Sequence, residues 1–133
     1  MLTALHSGGL RSSAVFAGVV VAALSLGMSS ALAQTGLDGT YRGGQGSYQM
    51  RVTVQGGSGE AVITATGCLG ELSGQVAKQG GDQWTLSGEA YGSSCTLTMK
   101  RTGAQSFRVT QGPGCTFFHG AACSFETTID KVD

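Results

Sequence analysis

Apolar and polar positions alternate with a period of two along most of the chain after residue 33. Tyr48, Met50, Val52 and Val54 alternate with Gln49, Arg51, Thr53 and Gln55, and Trp84, Leu86, Gly88 and Ala90 with Thr85, Ser87 and Glu89. Cys95, Leu97 and Met99 alternate with Thr96, Thr98 and Lys100, and Phe107 and Val109 continue the same inner face. Cys123, Phe125, Thr127 and Ile129 alternate with Ser124, Glu126, Thr128 and Asp130. Successive side chains of an extended strand point to opposite faces, so each run predicts a strand with one buried face. Three further segments are less regular. Leu37 to Arg42 places Leu37, Gly39 and Tyr41 on one face. Glu60 to Thr66 is rich in β-branched residues but leaves its inward face open. Leu69 to Ala77 sets Leu72, Gly74 and Val76 together, and its glycines suggest a strongly bent strand or a barrel corner.

Turns rich in Gly and Ser separate these runs at Gly43–Ser47, Gln55–Gly59, Gly67–Cys68, Lys78–Asp82, Tyr91–Ser94 and Thr102–Ala104. No helical period occurs after residue 33. Eight consecutive strands with short links predict an all-β fold, a small antiparallel up-and-down barrel, whose closure removes exposed strand edges. Eight strands leave an interior that side chains can fill, and Trp84, Phe107, Phe125, Met50 and Leu97 are the expected core. A hollow, lipocalin-type interior is the alternative. In this topology the links alternate between the two ends. Gly43–Ser47, Gly67–Cys68, Tyr91–Ser94 and the long loop Gln111–Ala122 therefore share one end, and every cysteine lies in or beside one of them.

The first 33 residues have a different character. Arg11 lies in a polar start, an apolar run follows from Ala14 to Leu26, and Ala31-Leu32-Ala33 closes the segment. This is the layout of a cleaved signal peptide, residues 1–33, ahead of a single domain at 34–133. The apolar run is shorter than the roughly 20 residues a spanning helix needs, so no membrane anchor is expected. The domain would be periplasmic or secreted. It carries seven Lys and Arg against eight Asp and Glu, a balance that argues against nucleic acid or an anionic membrane surface as a partner. Cys68, Cys95, Cys115 and Cys123 form an even set in a small exported domain, which points to two disulfides. Cys115 and Cys123 are near enough in sequence to clip the last loop, with Cys68 joined to Cys95 across neighbouring corners. That pairing is the favoured one, and the swapped pairings stay open. A zinc site is the competing reading, but no C-x-x-C pair is present.

Candidate chemistry gathers in the stretch from Gly112 to Phe125, which holds two cysteines, the one proline and His119. His119 lies near Thr116, Ser93 and Ser94, yet no nucleophile, base and orienting acid form a recognisable triad, so no catalytic residue is assigned. A lone histidine in a clipped loop bonds backbone groups or contacts a partner. Phe117 and Phe118 are adjacent, so an extended backbone would turn one outward as an interface anchor, against the alternative that both pack beneath the loop. Glu71, Glu89 and Glu126 read as solvated surface charge. Gly44 and Gly46, or Gly56, Gly57 and Gly59, open no helix and do not form a phosphate loop. No cofactor or metal is implied.

The opening Gly39-Thr40-Tyr41, the segment Gly67-Cys68-Leu69-Gly70-Glu71-Leu72-Ser73-Gly74, Cys95-Thr96-Leu97, and Gly114-Cys115 through His119-Gly120-Ala121 to Cys123-Ser124-Phe125 together resemble small periplasmic β-proteins of the lysozyme-inhibitor-like type. The resemblance implies a barrel that protects the cell wall by inserting a rigid loop into the cleft of a lysozyme. Such a cleft holds two carboxylates, so the inserted surface should present donors or a cation. The expected partner-binding residues are His119, Phe118, Phe117, Thr116, Tyr91, Ser93 and Arg42. The alternative is a small-molecule-binding or structural envelope protein.

Overall fold

Eight strands run in chain order, β1 (Gly39–Gly43), β2 (Gln49–Gln55), β3 (Ser58–Ala65), β4 (Cys68–Gly80), β5 (Gln83–Ala90), β6 (Ser93–Arg101), β7 (Ser106–Gln111) and β8 (Thr127–Lys131). The computed structural model describes residues 36–133, and the expected signal peptide, residues 1–33, lies outside them. Each strand pairs antiparallel with the next, and β8 pairs with β1, so the sheet closes into the expected up-and-down barrel. Register follows the inward pattern. Met50 stands opposite Ile63, Leu86 opposite Leu97, and Phe107 opposite Ile129.

All five expected core residues are buried, and Leu37, Tyr41, Ile63, Leu72 and Ile129 join them. Phe107 takes Tyr41 and Trp84 edge-on at 5.4 and 5.5 Å between ring centroids. Such T-shaped contacts set the positive ring edge against a negative face. The Tyr41 hydroxyl donates to the Leu37 carbonyl at 2.9 Å, which pins the segment ahead of β1 under the barrel. In β3 the structure decides what β-branched composition left open, since Ala61 and Ile63 point inward.

The last strand and the long loop differ from the sequence reading. The last strand begins at Thr127, not at Cys123, although Phe125 is fully buried. The Phe125 amide donates to the Gln111 side-chain oxygen at 2.9 Å, so a side chain takes the place of a ladder carbonyl there. The long loop is also more regular than expected, because Cys115–Phe118 forms a 3-10 helix. Gly114 enters it in the left-handed region at φ 86°.

The disulfides join Cys68 to Cys123 and Cys95 to Cys115, in place of the favoured pairing of Cys68 with Cys95 and Cys115 with Cys123. Register explains the correction. Cys95 pairs with Gly88, and Gly88 lies against Ser73 and Gly74 of β4. Cys95 is therefore level with a position six residues past Cys68, about 20 Å away along an extended strand. A disulfide spans at most about 7 Å between Cα atoms. The observed pairs bring their Cα atoms to 6.1 and 4.6 Å. All four cysteines lie at one end, as the alternation of links requires.

Candidate functional site

The two disulfides fasten the loop after β7 at separate places, to β6 through Cys115 and to the start of β4 through Cys123. The loop thereby arches past the end of β5, beside the turn that joins β5 to β6. Further bonds hold it along its length. The Gly112 amide donates to the Thr96 carbonyl at 2.9 Å, and the Gly120 amide to the Thr116 carbonyl at 2.7 Å. The Tyr48 hydroxyl donates to the Ser124 carbonyl at 2.6 Å. Burial, and next the nearby Glu126 carboxylate, push the Tyr48 phenol up to about 12.

His119 is the inner strut of this loop rather than its tip. It is only 7 % exposed, and its ring meets Phe125 edge-on at 5.2 Å. Nε2 lies 3.0 Å from the Gln111 Oε1 that also accepts the Phe125 amide, and Nδ1 is bonded to the Gly120 carbonyl. Gly70 of β4 leaves the room it needs, since a Cβ there would stand 2.6 Å from the His119 Cβ. Both ring nitrogens thus point to acceptor oxygens inside the protein. Of the two roles expected of His119, the contact with a backbone group is the one seen here, and Phe118 is half-buried against the core.

What the end does present is apolar. Leu69, Tyr91 and Phe117 are 72, 100 and 74 % exposed. They line one groove of about 490 Å³ together with Val62, Glu71, Ser73 and Glu89. Strand alternation explains the composition: Leu69, Glu71 and Ser73 are the outward residues of β4, and Glu89 is outward on β5. Tyr91 and Gly92 form the two-residue turn into β6 with φ of 53° and 74°. Both central residues of this hairpin turn are left-handed, which Asn or Gly adopts far more easily than tyrosine. Among the described residues Tyr91 is the sole non-glycine with positive φ, and it is also fully exposed. Neither packing nor turn propensity accounts for a tyrosine there.

The remaining expected residues scatter. Thr116 is exposed on the 3-10 helix, and Ser93 is half-buried at the start of β6. Arg42 lies beyond Val62 in a second groove of about 260 Å³, with Gln49, Arg51 and Thr64. It stands directly opposite Arg51 in the β1–β2 ladder, and neither forms an ion pair with another described residue. Like charges facing each other across strands are destabilising, and Asp130 of β8, opposite Arg42 on its other side, is the protein's own counter-charge there. Across β1 to β4 the outward row reads Arg42, Arg51, Val62, Glu71. Leu69, Arg51, Glu71 and Glu89 are the members that sequence reasoning missed. Their signal was outward phase on neighbouring strands, which has meaning only once the register is known.

All four cysteines are taken up in disulfides, and no cluster of three potential metal ligands occurs among the described residues. No helix among them is long and apolar enough to cross a membrane. Set beside family models, curated proteins and solved structures, the chain matches none of them, so the meaning of this end has to be read from its own geometry.

Proposed function

We propose that this is an exported, non-catalytic binding protein that docks a partner protein with the disulfide end of its barrel, and that the partner is a lysozyme. The observation that carries the reading is the exposure of Leu69, Tyr91 and Phe117 side by side on backbone fastened by two disulfides. Large side chains on rigid backbone are efficient anchors, because little conformational entropy remains to be lost on docking. The lysozyme assignment comes from the resemblance carried by the cysteine segments. It is supported by Arg42 and Arg51, two exposed guanidinium groups in the adjoining groove that suit the paired carboxylates of a glycosidase cleft. Arg42 and Arg51 take the electrostatic role that the buried His119 cannot. Catalysis is disfavoured by the engagement of both His119 nitrogens, and a carrier role by the aromatic and aliphatic packing that fills the barrel around Trp84. Two disulfides are compatible with an exported protein, and periplasm or exterior is the proposed location.

The test is inhibition of chicken-type, goose-type and invertebrate-type lysozymes by oxidised residues 34–133. Stoichiometric inhibition of one class is expected. Tyr91→Ala with Phe117→Ala should weaken it by about tenfold or more, the scale of losing two interface anchors. No inhibition of any class by folded protein overturns the lysozyme assignment. Inhibition untouched in the double variant overturns the docking face.

A further inference from the structure

We propose that the groove between Glu71, Glu89, Tyr91 and Phe117 receives one basic side chain, arginine or lysine, from the docked partner. The inference rests on the docking reading for its occupant and goes beyond it by naming the chemistry of that occupant.

Charge complementarity is the argument. The groove contains two carboxylates and no Lys or Arg. The one ion pair among the described residues, Arg101 with Asp82, involves neither. Among the described residues Glu89 accepts only the Ser94 hydroxyl, at 3.3 Å on one of its two oxygens, and Glu71 has no side-chain partner. Their strands are adjacent and both residues point outward, so two negative charges share one concavity with Leu69, Tyr91 and Phe117. A cation placed there gains from both carboxylates at once. It also finds the exposed rings of Tyr91 and Phe117, whose negative faces attract guanidinium and ammonium groups. Leu69 supplies apolar surface for the methylene stem of such a side chain. The volume, about 490 Å³, exceeds what one side chain fills, and the remainder is available to the partner's flanking backbone. Arg51 and Arg42 lie past Val62 in the adjoining groove and form no ion pair with Glu71 or Glu89.

The experiment is a titration of 15N-labelled, oxidised residues 34–133 with the peptide acetyl-Gly-Arg-Gly-amide, followed by amide chemical shifts. The control peptide carries citrulline in place of arginine, which keeps shape and hydrogen bonding but removes the charge. Saturable shifts at Leu69, Glu71, Glu89 and Tyr91 with the arginine peptide are expected. They should weaken about fivefold or more with citrulline, in 0.5 M salt, and in the Glu71→Gln and Glu89→Gln double variant, as screening and loss of charge-assisted bonds require. Both positions are exposed and glutamine is isosteric, so the variant should fold, which its own amide spectrum verifies. An equal response to citrulline, an unchanged response in the double variant, or shifts elsewhere on the barrel overturns the proposal. So does a neutral chitin oligosaccharide that shifts the same amides where the arginine peptide does not, which would make the groove a saccharide site. No lysozyme enters this experiment. A failed inhibition assay with a positive titration removes the lysozyme and keeps the groove; the converse removes the groove and keeps the docking face.

Discussion

Tyr91 concentrates the argument at the scale of single residues. Its backbone is left-handed and its ring is in solvent, so the fold gains nothing from having tyrosine there. The resemblance names it among the expected partner-binding residues, and its φ and full exposure are what the structure adds. His119 misleads in the opposite direction. It was the most suggestive residue of the sequence, and its location beneath the loop makes it a strut. Tyr48 allows a prediction at this scale. Burial raises its pKa to about 12, above the 10.0 of a free phenol. The folded protein then holds this proton more tightly than the unfolded chain does, so the stability it contributes is complete below pH 10 and declines as pH rises from 10 to 12. Urea midpoints measured across that window should fall with pH in the native protein, and fall less in Tyr48→Phe, which has no proton to lose. An identical pH dependence in both proteins would contradict this.

At the scale of elements, the loop after β7 and the strands it is fastened to make one unit. The 3-10 helix turns Cys115 into the core toward β6, and the chain then travels on to β4 before Cys123 is fixed. Sequence proximity suggested that Cys115 and Cys123 would pair, but proximity along a chain does not say where a helical turn sends it. Digestion under non-reducing conditions should yield one peptide pair joining Cys68 with Cys123 and another joining Cys95 with Cys115. In the chain-entropy account, closing loops of 20 and 55 residues contributes about 3 and about 4 kcal/mol. Replacing Cys68 and Cys123 by alanine should therefore cost at least as much stability as replacing Cys95 and Cys115. Denaturant unfolding followed by Trp84 fluorescence measures both, and the reverse order would show that packing around the buried Cys95 and Cys115 outweighs loop entropy. The shortened β8 belongs to this scale too. Cys123 to Glu126 alternate like a strand, yet the disulfide to β4 and the Gln111 bond to Phe125 hold them out of the ladder.

At the scale of the whole molecule, closure depends on the seam between β1 and β8. Tyr41, Arg42 and Gly43 face Lys131, Asp130 and Ile129 there. The Val132 amide donates to the Thr40 carbonyl at 2.9 Å, and the Thr40 amide to the Asp133 carboxylate at 2.7 Å. This last bond, more than the nearby Lys131, holds the Asp133 carboxyl below its ordinary value. Asp133→Ala should speed hydrogen exchange of the Thr40 amide by about fivefold, without changing exchange in β4 and β5. Unchanged exchange at Thr40 would remove the seam from this account.

The sequence by itself determined the barrel. Alternation with a period of two dictates which residues face inward, short glycine turns allow only neighbouring strands to pair, and eight strands can close around Trp84, Phe107 and Phe125. It also determined that the cysteines share an end, because in an up-and-down order that follows from counting links. Tertiary structure alone decided the disulfide partners, the buried place of His119, and the meeting of Leu69, Tyr91 and Phe117 with Glu71 and Glu89. Each of these depends on how far one strand is shifted against the next and on where the loop crosses the barrel end. Local side-chain chemistry sets the face of a strand, whereas register and loop path are set by the packing of the entire sheet.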